Sequence, residues 1–138
     1  MDIRALTPTY AVSPQIDPSD LPAIKAAGYT TIIDNRPDGE IPPHLHTSVM
    51  QQAAEALGLT FIANPVIGSA LTQDNVATQR AAIDAATGPV FAYCASGNRC
   101  SIVWALAHAG TAPADTLIGT AAQFGYNLEW LRPALEQA

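Results

Sequence analysis

The sequence predicts an α/β domain, a central parallel sheet of about four to five strands flanked by helices, with a helical C-terminal third. Three observations carry that expectation. Helical and β-rich segments alternate and are punctuated by Gly and Pro. The segment Val90-Phe91-Ala92-Tyr93 is almost wholly apolar, as a strand covered on both faces should be. Beyond the loop that follows it, every periodic stretch reads as helix.

In chain order, Arg4-Ala5-Leu6 and Tyr10-Ala11-Val12 read as short flanking strands limited by Pro8 and Pro14. Ser19 to Ala27 reads as a first helix, with Ser19 as N-cap and Gly28 just past its end, and Tyr29-Thr30-Thr31-Ile32-Ile33 follows as a strand. The segment from Asp34 to Pro43 is a loop, because its prolines remove backbone donors and its Gly, Asn and Asp favour turns. Thr47 to Leu57 has helical spacing in Met50, Ala53, Ala54 and Leu57, closes at Gly58, and feeds the strand Leu59 to Ala63. Thr72 is a good N-cap for a helix running to about Ala86 with Val76 and Ile83 on its inner side. Helices are expected at Ser101 to Ala109, at about Ala112 to Phe124, and at Leu128 to Gln137.

The chain of 138 residues is 49% hydrophobic and 13% charged, enough for one domain, residues 1–138, with a sizeable core. Formal net charge is −6, and the six Lys and Arg are scattered, so no basic stripe is available for a nucleic acid. The N-terminus lacks a basic segment followed by an apolar stretch, and no apolar run nears the roughly 20 residues needed to span a bilayer, so a cytoplasmic location without membrane contact is expected. The two cysteines, Cys94 and Cys100, would close only a tiny loop as a disulfide and read as thiols.

The chemistry concentrates after the apolar strand, in Cys94-Ala95-Ser96-Gly97-Asn98-Arg99. A thiol has an unperturbed pKa of about 8.5, and a helix N-terminus with a nearby cation lowers it. Gly97 lets successive backbone N–H groups converge, the following helix adds its positive end, and Arg99 supplies a planar fork for an oxyanion. Ala95, Ser96, Gly97, Asn98 and Arg99 are thus the expected anion-binding loop and Cys94 the nucleophile. The competing reading is a cysteine that merely closes the core.

Tyr93-Cys94-Ala95-Ser96-Gly97-Asn98-Arg99 resembles the active loop of rhodanese-type sulfurtransferases, in which a cysteine carries a persulfide and the loop runs six residues. In cysteine phosphatases of the tyrosine and dual-specificity type the Arg comes six positions after the cysteine; here it comes five after. Ser13-Pro14-Gln15-Ile16, the stretch from Ala27 to Glu40, and the loop followed by Trp104-Ala105-Leu106 are similar to the bacterial family called beta-lactamase-hydrolase-like protein, phosphatase-like domain. The resemblance runs from about Ser13 to the last helix. It implies a dual-specificity-phosphatase-like fold, and family members are also described as sulfur transferases, some fused to metallo-beta-lactamase-like, persulfide-oxidising domains.

Carried over, Cys94 matches the nucleophile and Arg99 the anion-binding residue. Dual-specificity enzymes place an acidic Asp after the strand that here gives Asn64-Pro65-Val66-Ile67-Gly68-Ser69-Ala70-Leu71, where no acid stands. Asp74 complements the dipole of its helix. Asp34, Asp38 and Glu40 remain, and Asp38 is the choice for a general acid, with a loop-holding turn as its other reading. Cys100 stands where the phosphatases carry Ser or Thr, either as a resolving thiol or as a small buried residue. Tyr93 replaces the His that precedes the phosphatase cysteine.

No metal or other cofactor is expected: His44 and His46 lack further ligands, and His108 with Trp104 reads as core or edge packing. The first functional expectation is a sulfurtransferase acting through a Cys94 persulfide, with a sulfane sulfur donor as substrate and a thiol acceptor or persulfide-oxidising protein as partner. The alternative is a phosphatase that hydrolyses a phosphoester through a phosphocysteine. A further alternative is a non-catalytic anion-binding module.

Overall fold

A computed structural model of the chain describes residues 1–68 and 70–137. The strands β1 (Arg4–Thr7), β2 (Tyr10–Ser13), β3 (Thr31–Asp34), β4 (Thr60–Ala63) and β5 (Val90–Tyr93) form one sheet in the order β1-β2-β5-β3-β4. All neighbours from β2 to β4 are parallel, whereas β1 runs antiparallel to β2. The short turn at Pro8-Thr9 dictates that direction, since a parallel crossover needs a dozen or more residues.

The helices are α1 (Leu21–Ala26), α2 (Thr47–Ala56), α3 (Gln73–Ala85), α4 (Asn98–Ala107), α5 (Ala114–Ala122) and α6 (Arg132–Glu136). Strand alternation divides the core between the two faces of the sheet. Phe91 and Tyr93 pack with Leu21, Ile24 and Met50 beneath α1 and α2. Val90, Ala92 and Cys94 point the other way, into a cluster with Trp104, Leu117 and Leu128. Every residue of β5 is buried, which explains its apolar composition.

Three local expectations are corrected. Asp17, not Ser19, caps the first helical turn: its Oδ1 accepts from the Ser19 amide at 2.9 Å while Asp20 accepts from the Asp17 amide at 2.9 Å. Pro18, which has no N–H to satisfy, sits at the first helical position between them. The buried face of α3 is Gln79 and Ala82, while Val76 and Ile83 are only half-buried. Finally, α4 begins at Asn98 rather than Ser101, so Arg99 and Cys100 belong to its first turn.

The parallel register aligns Ser13, Tyr93 and Asp34 at the carboxyl end of the sheet. The loops leaving β2, β3 and β5 therefore meet there, where open α/β sheets hold their ligands.

Candidate active site

Gly97 makes the turn from β5 into α4. It is the N-cap of the helix at φ +91°, a left-handed conformation that favours glycine. A Cβ at this position would also run into the Tyr126 hydroxyl. The turn brings the Gly97 amide to 3.1 Å from the Cys94 sulfur, which accepts its hydrogen bond at the positive end of the helix. Ala95, Ser96 and Asn98 form the exposed rim, with the Asn98 amide donating to the Ser96 hydroxyl at 3.3 Å.

Electrostatics make Cys94 a thiolate. Its pKa falls to about 5, first through the Cys100 thiol that donates to the sulfur, then through the amides of Cys100, Ser96 and Gly97, against the opposing effect of burial. Cys100 moves the other way: burial and the adjacent thiolate keep its proton on well above the ordinary thiol range. At neutral pH the pair is therefore one thiolate and one thiol donor. Of the dipole and the cation expected to act on Cys94, the cation is not among the leading causes of the shift, the Arg99 fork facing Glu40, while the largest lowering effect comes from the buried Cys100 thiol.

Residues distant in sequence hold the loop from behind. The Tyr126 hydroxyl donates to the Ser96 carbonyl at 2.8 Å and accepts from Arg4 at 2.8 Å. The Arg4 guanidinium also lies 5.2 Å from the centre of the Tyr126 ring. Ser101 donates to the Gly97 carbonyl at 2.9 Å, and Tyr10 donates to the Cys100 carbonyl at 3.0 Å.

Tyr10 ends a buried polar chain centred on Gln79. The Gln79 amide nitrogen donates to the Tyr10 hydroxyl at 2.9 Å and to the Asn35 oxygen at 3.1 Å. Its oxygen accepts from Asn35 at 2.9 Å and from Asn64 at 2.8 Å. One side chain thus ties the ends of β3 and β4 to β2 and, through Tyr10, to the first turn of α4. Gln79 is fully buried with its amide satisfied, so the arrangement is tightly specified.

Arg99 is held as a fork. Its two terminal nitrogens donate to the Glu40 carboxylate at 2.8 and 2.7 Å, and one of them also donates to the Val66 carbonyl at 2.8 Å. Glu40 is held below its usual pKa chiefly by Arg99 and lies 3.3 Å from Arg36. Arg36 in turn donates to the Gln15 side-chain oxygen, and the Gln15 backbone N–H donates to the Ala95 carbonyl of the loop after β5.

The three carboxylates left by the sequence as acids are thus all engaged. Asp38 accepts from the Thr47 amide at 2.8 Å and so caps α2. Asp34 is buried, accepts from the Arg36 amide and the Thr47 hydroxyl, and has its pKa raised, chiefly by burial. The Tyr93 hydroxyl faces Asp34 without completing a well-formed hydrogen bond. Ser69, in the acid-free segment after β4, lies outside the described residues.

No cluster of three or more His, Cys, Asp or Glu side chains suited to a metal occurs among the described residues. His46 donates through Nε2 to the Ile41 carbonyl at 3.1 Å, and His108 through Nδ1 to the Trp104 carbonyl at 2.9 Å. No described helix is long and apolar enough to cross a membrane.

Glu40, Tyr126 and Gln79 escaped sequence reasoning as site residues with these roles. Glu40 had a weak signal, an acid in a loop already suspected. Tyr126 had none beyond its place in a turn, and Gln79 reads as one more polar position on an amphipathic helix.

Comparisons with known proteins bear on the family and the fold. The beta-lactamase hydrolase-like protein of Agrobacterium fabrum is 35% identical over 101 residues, which cover 73% of this chain but only 23% of that protein. This chain therefore corresponds to about a quarter of its relative's length. A phosphatase candidate from Neisseria meningitidis Z2491, known from its crystal structure, is 36% identical, with a TM-score of 0.84 over 99% of this chain and 98% of its own. The active form of Tk-PTP, 13% identical, has a TM-score of 0.74 over 98% of this chain and 94% of its own, a likeness of fold alone. Residues 2–111 match the family described as beta-lactamase hydrolase-like protein, phosphatase-like domain, and the chain belongs to that family.

Proposed function

We propose that this domain is a cysteine-dependent phosphatase acting on small anionic phosphomonoesters. The observation that carries the reading is a sulfur held as a thiolate, pKa about 5, at the N-terminus of α4 with Arg99 in the same helical turn. The near-complete overlap with a phosphatase candidate at 36% identity supports it. The order of preference is therefore the reverse of that drawn from the six-residue loop and the missing acid.

In the proposed reaction the Cys94 sulfur attacks phosphorus, the bond to the leaving oxygen breaks, and a phosphocysteine forms. Water then attacks that intermediate, releasing phosphate and the thiolate. The amides around Gly97 and the Arg99 guanidinium stabilise the equatorial oxygens, an effect typically worth about 10²–10³ in rate per well-placed donor. Glu40 acts as a positioning residue by fixing the plane of the Arg99 fork. Cys94 has no exposed surface, so the rim of Ala95, Ser96 and Asn98 opens to admit substrate. With Asp34, Asp38 and Glu40 engaged, esters whose leaving oxygen needs little protonation turn over fastest.

The test is phosphate release from 4-nitrophenyl phosphate by wild type and Cys94→Ser, together with intact mass after rapid acid quench. Cys94-dependent release and a phosphoryl adduct on Cys94 are expected. Equal release by the two proteins would sink the proposal.

The second reading, sulfur transfer, is favoured by one observation: Cys100 places a thiol against Cys94. Cys94 would take the outer sulfur of thiosulfate, expelling sulfite, and pass it from the persulfide to a thiol acceptor. A gain of one sulfur on Cys94 after thiosulfate, removed by cyanide and unaccompanied by phosphatase turnover, would favour it.

A further inference from the structure

The i, i+4 pair Trp104 and His108 takes no part in the site around Cys94. Both residues line a cavity of about 240 Å³ whose mouth opens at Thr7 and Thr9, beside the start of β2. The carboxyl end of β2 lies next to Tyr93, so the cavity is at the end of the sheet opposite Cys94. Its floor is aromatic and sealed: Tyr10, Trp104 and Leu117 are each no more than 3% exposed, and the Tyr10 and Trp104 rings stack with centroids 6.2 Å apart. The Tyr10 ring is fixed from its far side, where its hydroxyl donates to the Cys100 carbonyl at 3.0 Å and accepts from Gln79 at 2.9 Å. Such a surface is preorganised for a flat ligand.

Two ring nitrogens at this cavity are left over by the fold. A buried indole N–H usually finds an acceptor, but that of Trp104 donates to none among the described residues. It is not sealed in either, since the buried side-chain atoms without a partner are Thr30 Oγ1 and the Tyr93 hydroxyl. The opening that Trp104 lines is this cavity. His108 donates through Nδ1 to the Trp104 carbonyl at 2.9 Å, which leaves a lone pair on Nε2 of the neutral ring. The imidazole and indole centroids are 5.5 Å apart. A donor and an acceptor thus stand side by side above the aromatic floor. No Asp, Glu, Lys or Arg lines the cavity, so the occupant is uncharged. The volume is below the roughly 300–1,000 Å³ of drug-sized sites, which restricts the occupant to a single ring.

We propose that this cavity is a binding site for an uncharged, single-ring cyclic amide. The ligand's carbonyl accepts from the Trp104 N–H, its own N–H donates to His108 Nε2, and its face lies on the Tyr10 ring. Thr116 and Thr120, one turn apart on α5, close the rim with hydroxyls that a polar ring edge can meet. The site is separate from the chemistry at Cys94 and does not rest on the phosphatase reading.

The test reads the indole N–H resonances of isotopically labelled protein. The chain has two tryptophans, and Trp130→Phe, at an exposed position, leaves Trp104 as the single indole signal. 2-Pyridone, which carries a carbonyl and an N–H on one edge, should move that signal saturably. 1-Methyl-2-pyridone keeps the ring and the carbonyl but has no N–H, and should bind about tenfold more weakly for want of one hydrogen bond. His108→Phe should bring the two probes to parity by weakening 2-pyridone. Thr120→Trp, which fills the mouth from α5, should abolish the shift with both.

An indole signal that 2-pyridone leaves in place, equal affinities for the two probes before His108 is replaced, or binding that survives Thr120→Trp would each overturn the assignment. Cys94→Ser should bind 2-pyridone as tightly as wild type, because the cavity and the thiolate sit at opposite ends of the sheet. Binding lost in that variant would put the ligand in the loop after β5 and overturn the proposal as well. Cys94-dependent phosphate release enters none of these readouts, so the two readings fail separately.

Discussion

Replacing Cys100 by Ala removes the donor that does most to stabilise the Cys94 thiolate. A hydrogen bond to a charged group is worth about 1.5–3 kcal/mol, and one pKa unit corresponds to about 1.36 kcal/mol. The Cys94 pKa should therefore rise from about 5 by about one to two pH units, the backbone amides of residue 100, Ser96 and Gly97 retaining the remaining depression. The sign follows from the donor's partner: losing a bond to the charged form disfavours that form. Cys100→Ser keeps an O–H at the same place and should hold the midpoint low. The assay is the rate of Cys94 alkylation by iodoacetamide from pH 4 to 9, located by peptide mass. A midpoint in Cys100→Ala equal to that of wild type would refute the reasoning and leave the helix amides as the whole cause.

Three further outcomes are expected. Because the Cys94 pKa is lower in the fold than the ordinary thiol value near 9, wild type should gain stability as pH rises from about 5 towards 9 and lose it as pH falls through about 5, a trend that urea midpoints should show and that Cys94→Ser should flatten. Gly97→Ala combines a left-handed φ of +91° with a Cβ against the Tyr126 hydroxyl, so it should cost about 1–3 kcal/mol and abolish Cys94 alkylation at pH 6; adding Tyr126→Phe should recover part of the stability. Gln79→Leu leaves one N–H of each of the Asn35 and Asn64 amides and the Asn35 side-chain oxygen without a partner, at about 1–3 kcal/mol for each group left unpaired, and calorimetry should register a fall in Tm of roughly 10 °C or more.

Local chemistry made much of this protein legible in its sequence. The alternation of helix and strand, the buried β5 and the placing of Cys94 and Arg99 on one short turn into α4 follow from patterns a few residues long. The start of α4 was harder to place because Gly97 turns the chain within one residue, and a left-handed N-cap leaves none of the Ser, Thr, Asp or Asn signals that mark most helix starts. The direction of β1 hid behind the weak hairpin signal of Pro8-Thr9. Glu40 with Arg99, and Tyr126 with Ser96, are pairings across long stretches of chain, and no local periodicity encodes them. Gln79 was missed for a different reason: polar residues on a helix ordinarily face water, and only the three-dimensional meeting of Tyr10, Asn35 and Asn64 makes its burial favourable.

The strand order β1-β2-β5-β3-β4 also governs how the molecule is assembled. As the chain leaves the ribosome, β2 and β3 emerge with nothing between them, and each carries a ladder of unpaired backbone groups toward an empty slot. Only when residues 90–93 arrive does the gap close, through hydrogen bonds on both sides at once. The strand that completes the sheet is the one that Cys94 directly follows. The same pairing that seals both edges thereby also fixes the backbone from which Cys94 and the turn at Gly97 lead into α4.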